Sequence, residues 1–137
     1  MTGYLLDTNV VSELRKRDRA NDHLRAWFAT HHTDEFWLSV LVVGELKRGI
    51  ELINRRDPAA ADALRTWLDH VIDDYSDRIL PITMAITTRW AAISVPDPIP
   101  VIDGLLASTA LEHDLTLVTC NTTDIARTEV TQINPFE

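Results

Sequence analysis

The stretch Tyr4-Leu5-Leu6-Asp7-Thr8-Asn9-Val10-Val11-Ser12-Glu13-Leu14 decides the fold. Tyr4-Leu5-Leu6 reads as a short buried strand that stops at Asp7. Val10, Val11 and Leu14 then recur at helical spacing. The same alternation continues along the chain. Asn21 or Asp22 is placed to cap a helix carrying Leu24, Trp27 and Phe28. Phe36 to Val40 is strand-like by its aromatic and β-branched content. A helix follows from about Leu41 to Asn54, and Asp57-Pro58 starts another, with proline at the first position. Arg78 to Ile82 is a third strand, whose Pro81 favours a sheet edge. Thr83 is placed to cap a helix through Met84, Ile86, Trp90 and Ile93. After the Pro96, Pro98 and Pro100 loop, a helix runs from about Val101 to His113. Leu115 to Thr119 and Val130 to Ile133 complete five strands. Strands alternating with helices predict an α/β domain with a mostly parallel five-stranded sheet, covered by helices on both faces.

The 137 residues are expected to form one domain, 1–137, since roughly 100–200 residues per domain is usual. Apolar residues are 45% and charged residues 25%, an ordinary globular balance. With 4 Gly and 6 Pro, collagen-like and low-complexity readings are excluded. A single cysteine, Cys120, forbids an internal disulfide and points to a reducing compartment, the cytoplasm. Met1-Thr2-Gly3-Tyr4 carries no basic leader, and the run from Phe36 to Gly44 is half a membrane span. The net charge of −8 argues against a simple nucleic-acid clamp. It leaves open an enzyme whose acidic site holds cations and meets a phosphate substrate through them.

In a doubly wound sheet, ligands bind beyond the carboxyl ends of the strands. Asp7 follows the first strand directly. Asp103 starts the helix after the proline loop, and Asp124 lies five residues past Thr119. Glu45 falls within a helix, on the face shared by Val42, Leu46 and Gly49, with Lys47 and Arg48 turned elsewhere. Taken singly, each has a plain structural reading: Asp7 as a helix cap, Asp103 as a dipole partner, Asp124 as a turn residue, Glu45 as half of a buried ion pair. Together they predict an uncompensated negative cluster, which Mg²⁺ or Mn²⁺ would stabilise. Competing motifs are weak. No Gly-x-x-x-x-Gly-Lys, Gly-x-Gly-x-x-Gly or His-Glu-x-x-His pattern occurs. His31-His32 reads as a surface pair, Cys120 as a packing residue, and Asp69, Asp73 and Asp77 as a solvated helical stripe.

These stretches are familiar. Leu5 to Leu14 resembles the opening motif of PIN-domain ribonucleases of the VapC toxin type. Ser39-Val40-Leu41-Val42-Val43-Gly44-Glu45-Leu46-Lys47-Arg48-Gly49 resembles their second motif, and Ile102-Asp103-Gly104-Leu105-Leu106-Ala107-Ser108-Thr109-Ala110 their third. Leu117-Val118-Thr119-Cys120-Asn121-Thr122-Thr123-Asp124 resembles the fourth, and Asn134-Pro135-Phe136 the usual ending. The family's acids map onto Asp7, Glu45, Asp103 and Asp124. Cys120 stands where a basic residue is common, and Ile125 where an aromatic is common. The resemblance implies Mg²⁺-dependent endonucleolytic cleavage of RNA, with Mn²⁺ able to substitute. It implies Asp7 and Asp103 as main metal ligands and Glu45 as orienting the attacking water or sharing ligation. Asp124 would complete the site. Thr8, Asn9, Ser12, Thr119 and Asn121 are candidates to hydrogen-bond these ligands. The basic run Arg15, Lys16, Arg17 and Arg19 reads as an RNA backbone contact or a solvated helix end. The family also implies a VapB-type antitoxin partner; exposed apolar helices would serve that contact or a homodimer. Trp27, Phe28, Trp67 and Trp90 read first as core. Two other classes remain: a catalytically silent PIN-like binding module, and a doubly wound phosphate-handling enzyme. Against the second, this chain lacks an Asp-x-Asp pair after its first strand, where it reads Asp7-Thr8-Asn9.

Overall fold

The computed structural model describes residues 3–137; Met1 and Thr2, part of the stretch read as lacking a leader, lie outside the described residues. Five strands form one sheet: β1 (Tyr4–Leu6), β2 (Phe36–Ser39), β3 (Ile79–Leu80), β4 (Thr116–Val118) and β5 (Gln132–Ile133). Their order is β3-β2-β1-β4-β5, and every pairing is parallel. The edge expected for the Pro81 segment is correct, since β3 is an outermost strand that stops before the proline. The helices are α1 (Thr8–Leu14), α2 (Asp22–Ala29), α3 (Val40–Asn54), α4 (Pro58–Asp74), α5 (Met84–Ile93) and α6 (Val101–His113).

The order explains how both faces are covered. The chain steps outward from β1 to β2 to β3, then returns past β1 to β4 and β5. Parallel crossovers are right-handed in nearly all proteins. The α1–α4 connections therefore fall on one face, and the α5–α6 crossover on the other. The direction reverses between β1 and β4, and that switch point opens a crevice at the carboxyl ends of the strands.

Local chemistry sets the boundaries. Asp57 caps α4 by accepting from the Ala60 N–H at 3.1 Å, with Pro58 at the first position. Thr83 caps α5 through the Ile86 N–H. Asp114 closes α6 in the left-handed conformation, φ 55°, which Asp tolerates better than most residues. Leu5, Leu6, Leu38, Leu117 and Val118 are buried along the central strands, as a sheet covered on both faces requires. Gly104 allows α6 to meet α5 closely: a Cβ there would lie 3.0 Å from Trp90 Cδ1.

Three minor expectations are corrected. His31 is half-buried, stacks edge-on to Tyr4 at 4.8 Å and meets the Tyr4 hydroxyl at 3.2 Å; the aromatic neighbours Trp27 and Phe36 draw it inward. Cys120 is exposed rather than packed, because the chain has already left β4. Asp77 lies beyond the end of α4 and pairs with Arg78, so only Asp69 and Asp73 share the solvated stripe.

Candidate active site

Asp7 sits at the switch point, and its geometry is the most fully determined of the four acids. The residue is 8% exposed and is the N-cap of α1. Its Oδ1 accepts from the Thr8 N–H at 2.7 Å. Its Oδ2 accepts from the Thr119 hydroxyl at 2.7 Å and, more distantly, from Asn9 Nδ2 at 3.4 Å. The Thr119 oxygen in turn accepts from the Asn121 N–H at 3.0 Å, which leaves its proton for Asp7. Capping and site membership are thus one role. The β1–β4 register, which sets Leu6 opposite Val118, brings together residues 112 positions apart.

Glu45 is half-buried on α3, and its Oε1 accepts from the Thr8 hydroxyl at 2.5 Å, the short distance of a charge-assisted bond. Thr8 therefore ties the first motif to the second: its N–H serves Asp7 and its hydroxyl serves Glu45. Asp103 lies in the first turn of α6, half-buried, and receives no hydrogen bond or ion pair from the described residues. Its carboxyl is held above the usual range, first by burial and then by the negative charges of Asp7, Asp124 and Glu45. Asp7, Asp124 and Glu45 are thus near enough to act on it through their charge. Asp124 is exposed on the loop after β4 and accepts from Asn121 Nδ2 at 2.8 Å. None of the ion pairs among the described residues involves any of the four.

All four acids thus gather at one edge of the sheet, without closing into a three-ligand cluster among the described residues. The donor set suits a hard divalent cation: it is all oxygen, and one carboxyl, Asp103, has no protein partner. A buried oxygen, Asn9 Oδ1, also lacks a partner. Asn9 Nδ2 faces the Asp7 carboxylate, which fixes the orientation of the amide.

Of the residues expected to support the acids, Thr8, Asn9, Thr119 and Asn121 all make contacts within the site. Ser12 makes no side-chain hydrogen bond to them; it lines a cavity of about 280 Å³ beside Glu45. Arg15 lines the same cavity, a position that sequence reading left undecided. The signal was present, since Thr8, Ser12 and Arg15 fall four and three residues apart on one helical face. Lys16 turns away and pairs with Glu13 at 2.9 Å. Arg17 and Arg19 are exposed.

Replacing Thr119 by Val keeps the shape of this buried residue but removes the hydroxyl. Asp7 Oδ2 loses its closest donor, and the Asn121 N–H loses its acceptor. Divalent-ion affinity is expected to fall by about 10- to 100-fold, the usual cost of removing a group that orients a ligand. Titration with Mn²⁺ checks this; unchanged affinity would make Thr119 a packing residue only.

A parallel doubly wound sheet with acidic residues gathered at its switch point defines an α/β domain of the acidic-site class. This chain belongs to the PIN domain family, whose sequence model matches residues 4–130. Toxin FitB of Neisseria gonorrhoeae is 30% identical over 138 residues, covering 96% of this chain and 97% of its own. VapC ribonuclease Y4jK of Sinorhizobium fredii is 28% identical over 142 residues, covering 97% of each chain. The crystal structure of FitAcB from Neisseria gonorrhoeae matches with a TM-score of 0.87 and 29% identity, over 98% of this chain and 99% of that one. No helix among the described residues is long and apolar enough to cross a membrane.

Proposed function

We propose that this chain, acting as one PIN domain, is the endoribonuclease toxin of a VapBC-type toxin–antitoxin pair. It hydrolyses RNA phosphodiester bonds with Mg²⁺ or Mn²⁺ at Asp7, Glu45, Asp103 and Asp124. The observation that carries the reading is the hydrogen-bond chain that ties Glu45 through Thr8, and Asp124 through Asn121 and Thr119, to Asp7 at the end of β1, with none of these acids in an ion pair among the described residues. The relatives named toxin and VapC ribonuclease support it.

The divalent cation would lower the pKa of water and stabilise charge on the phosphoryl group during in-line displacement. The chain's own residues do the positioning. Asp7, fixed through both oxygens, and Asp103, free of protein donors, would hold the cation. Glu45 keeps Oε1 on Thr8 and leaves Oε2 to accept a proton from the attacking water. Asp124, on its exposed loop, completes the charge. The lone exposed cysteine suits the cytoplasm, and the partner is a VapB-type antitoxin. A short upstream reading frame encoding a DNA-binding N-terminus would support that pairing.

Purified protein is expected to cut RNA with Mg²⁺ or Mn²⁺ and to stop when chelator is added. Cleavage that survives chelation would overturn the reading. The basic run gives a second expectation. Arg15 and Arg17 carry no ion pair among the described residues, whereas Lys16 is paired with Glu13. Neutralising Arg15, Lys16 and Arg17 together should weaken RNA binding and flatten its salt dependence. For single-stranded RNA each lost phosphate contact reduces the log–log slope by about 0.7, so two arginines predict a change of about 1.4. An unchanged slope in the triple alanine variant would return all three to the solvated surface.

A further inference from the structure

A second cavity, of about 360 Å³, opens next to the one that Glu45 lines. Its walls are apolar and partly aromatic: Leu14 of α1, Phe28 of α2, Trp67 and Val71 of α4, and Tyr75, the residue that caps α4. The last three recur every four residues, so one face of α4 and its C-cap supply a whole wall. This volume falls within the usual range for small-ligand sites, about 300–1,000 Å³. The cavity shares Arg15 and Trp67 with the smaller one that contains Thr8 and Glu45. An occupant would therefore adjoin the cavity that Glu45 lines.

The rim is cationic. Arg15, Arg17 and Arg25 all line it. Arg25 is already committed to Asp22 at 3.4 Å and to Asp18, the one carboxylate of the rim, at 3.9 Å. Arg15 and Arg17 have no such partner among the described residues. Two unpaired guanidinium groups facing one apolar cavity, in a chain of net charge −8, are placed for an anion. Arg17 also adopts the left-handed conformation, φ 54°, which a non-glycine residue rarely accepts. Held strain of this kind clusters where a side chain must be aimed.

We propose that this cavity is a subsite for one unstacked nucleobase of single-stranded RNA, with Arg15 and Arg17 holding the adjoining phosphates. The inference rests on the ribonuclease reading above and adds a second recognition element to it. Aromatic walls stack any base through its flat face, while guanidinium groups fork onto phosphate oxygens. A base anchored here would turn the neighbouring phosphodiester towards the cavity that Glu45 lines.

The test uses the full chain with chelator, so that RNA binds uncut, and short oligouridylate and oligoadenylate as probes. RNA should quench tryptophan fluorescence. Trp67→Phe should remove most of the quench while affinity stays within about twofold, because phenylalanine still stacks. Trp67→Ala should weaken binding roughly tenfold, the usual loss for one stacked base. Trp67 is half-buried, so Arg17→Gly provides the variant that keeps the fold. It should weaken binding several-fold and raise the melting temperature, since glycine accepts φ 54° freely. If neither Trp67→Phe nor Arg17→Gly alters the quench or the affinity, the subsite does not exist. Occupation of the cavity by a protein segment, with RNA binding indifferent to it, would equally overturn the proposal. RNA that binds through Trp67 yet is never cut with Mn²⁺ would sink the ribonuclease reading and leave the base subsite standing. Normal cleavage with unchanged KM in Arg17→Gly and Trp67→Ala would do the reverse.

Discussion

Asp7→Asn and Asp103→Asn are each expected to reduce RNA cleavage by about a thousandfold while the protein remains folded. A cation at a phosphoryl centre is worth several kcal/mol of transition-state stabilisation, and each 1.36 kcal/mol is tenfold in rate. Removing one charged ligand therefore costs about three powers of ten if the cation is displaced or weakened. The two variants should differ in stability, and the structure says how. Asp7 accepts at both oxygens, from the Thr8 N–H and the Thr119 hydroxyl. Asparagine keeps one acceptor and places an NH₂ against a donor, so Asp7→Asn should lose about 1–3 kcal/mol. Asp103 meets no protein donor, so its amide variant carries no such mismatch. Cleavage with Mg²⁺ and Mn²⁺, beside melting curves, separates catalysis from folding. Wild-type turnover in both variants would remove these residues from the active site.

Much of this arrangement was legible in the sequence, for identifiable reasons. Asp7 and Asp103 were placed by local signals, a strand ending in a helix and a helix following a proline loop. Pro81 marked the edge strand because it has no N–H to donate. Asp103's surroundings followed from topology, since parallel α/β chains bring their strand ends to one rim. The hydrogen bond from Thr119 to Asp7 was not legible as such, because it depends on the β1–β4 register. Nor was the bond from Thr8 to Glu45, which depends on how α1 settles against α3. The sequence showed Glu45 without a cation at helical spacing but not the neutral hydroxyl that meets it. The burial of His31 is not legible, because a His-His pair carries no sign of the aromatic neighbours that draw one member inward. Arg15 is one of four neighbouring charges in the sequence; its helical face, shared with Thr8 and Ser12, distinguishes it from Lys16.

Without a divalent cation, the protein should become more stable as pH falls from neutrality into the acidic range, before global acid effects dominate. Asp103 carries the argument. Burial and the charges of Asp7, Asp124 and Glu45 raise its carboxyl above the usual range. The folded state then binds the proton more tightly than the unfolded chain does. The associated stability is fully present below the unfolded pKa and is lost as pH rises through the raised folded value. At neutral pH the metal-free fold therefore carries a penalty, which Mg²⁺ or Mn²⁺ should relieve by binding the folded state alone. Asp103→Asn removes one of the repelling charges permanently. It should raise the melting temperature of the chelated protein at neutral pH and flatten its rise towards acid. It should also shrink the stabilisation gained from saturating Mn²⁺. An opposing effect is the favourable position of an anion in the first turn of α6. If that effect governs, Asp103→Asn will destabilise the chelated protein and leave the Mn²⁺ response intact. Asp103 would then be a helix-start residue, and the acidic centre would lose the group around which its repulsion is organised. Unfolding of wild type and variant, with chelator and with Mn²⁺, at neutral and mildly acidic pH, decides between the two.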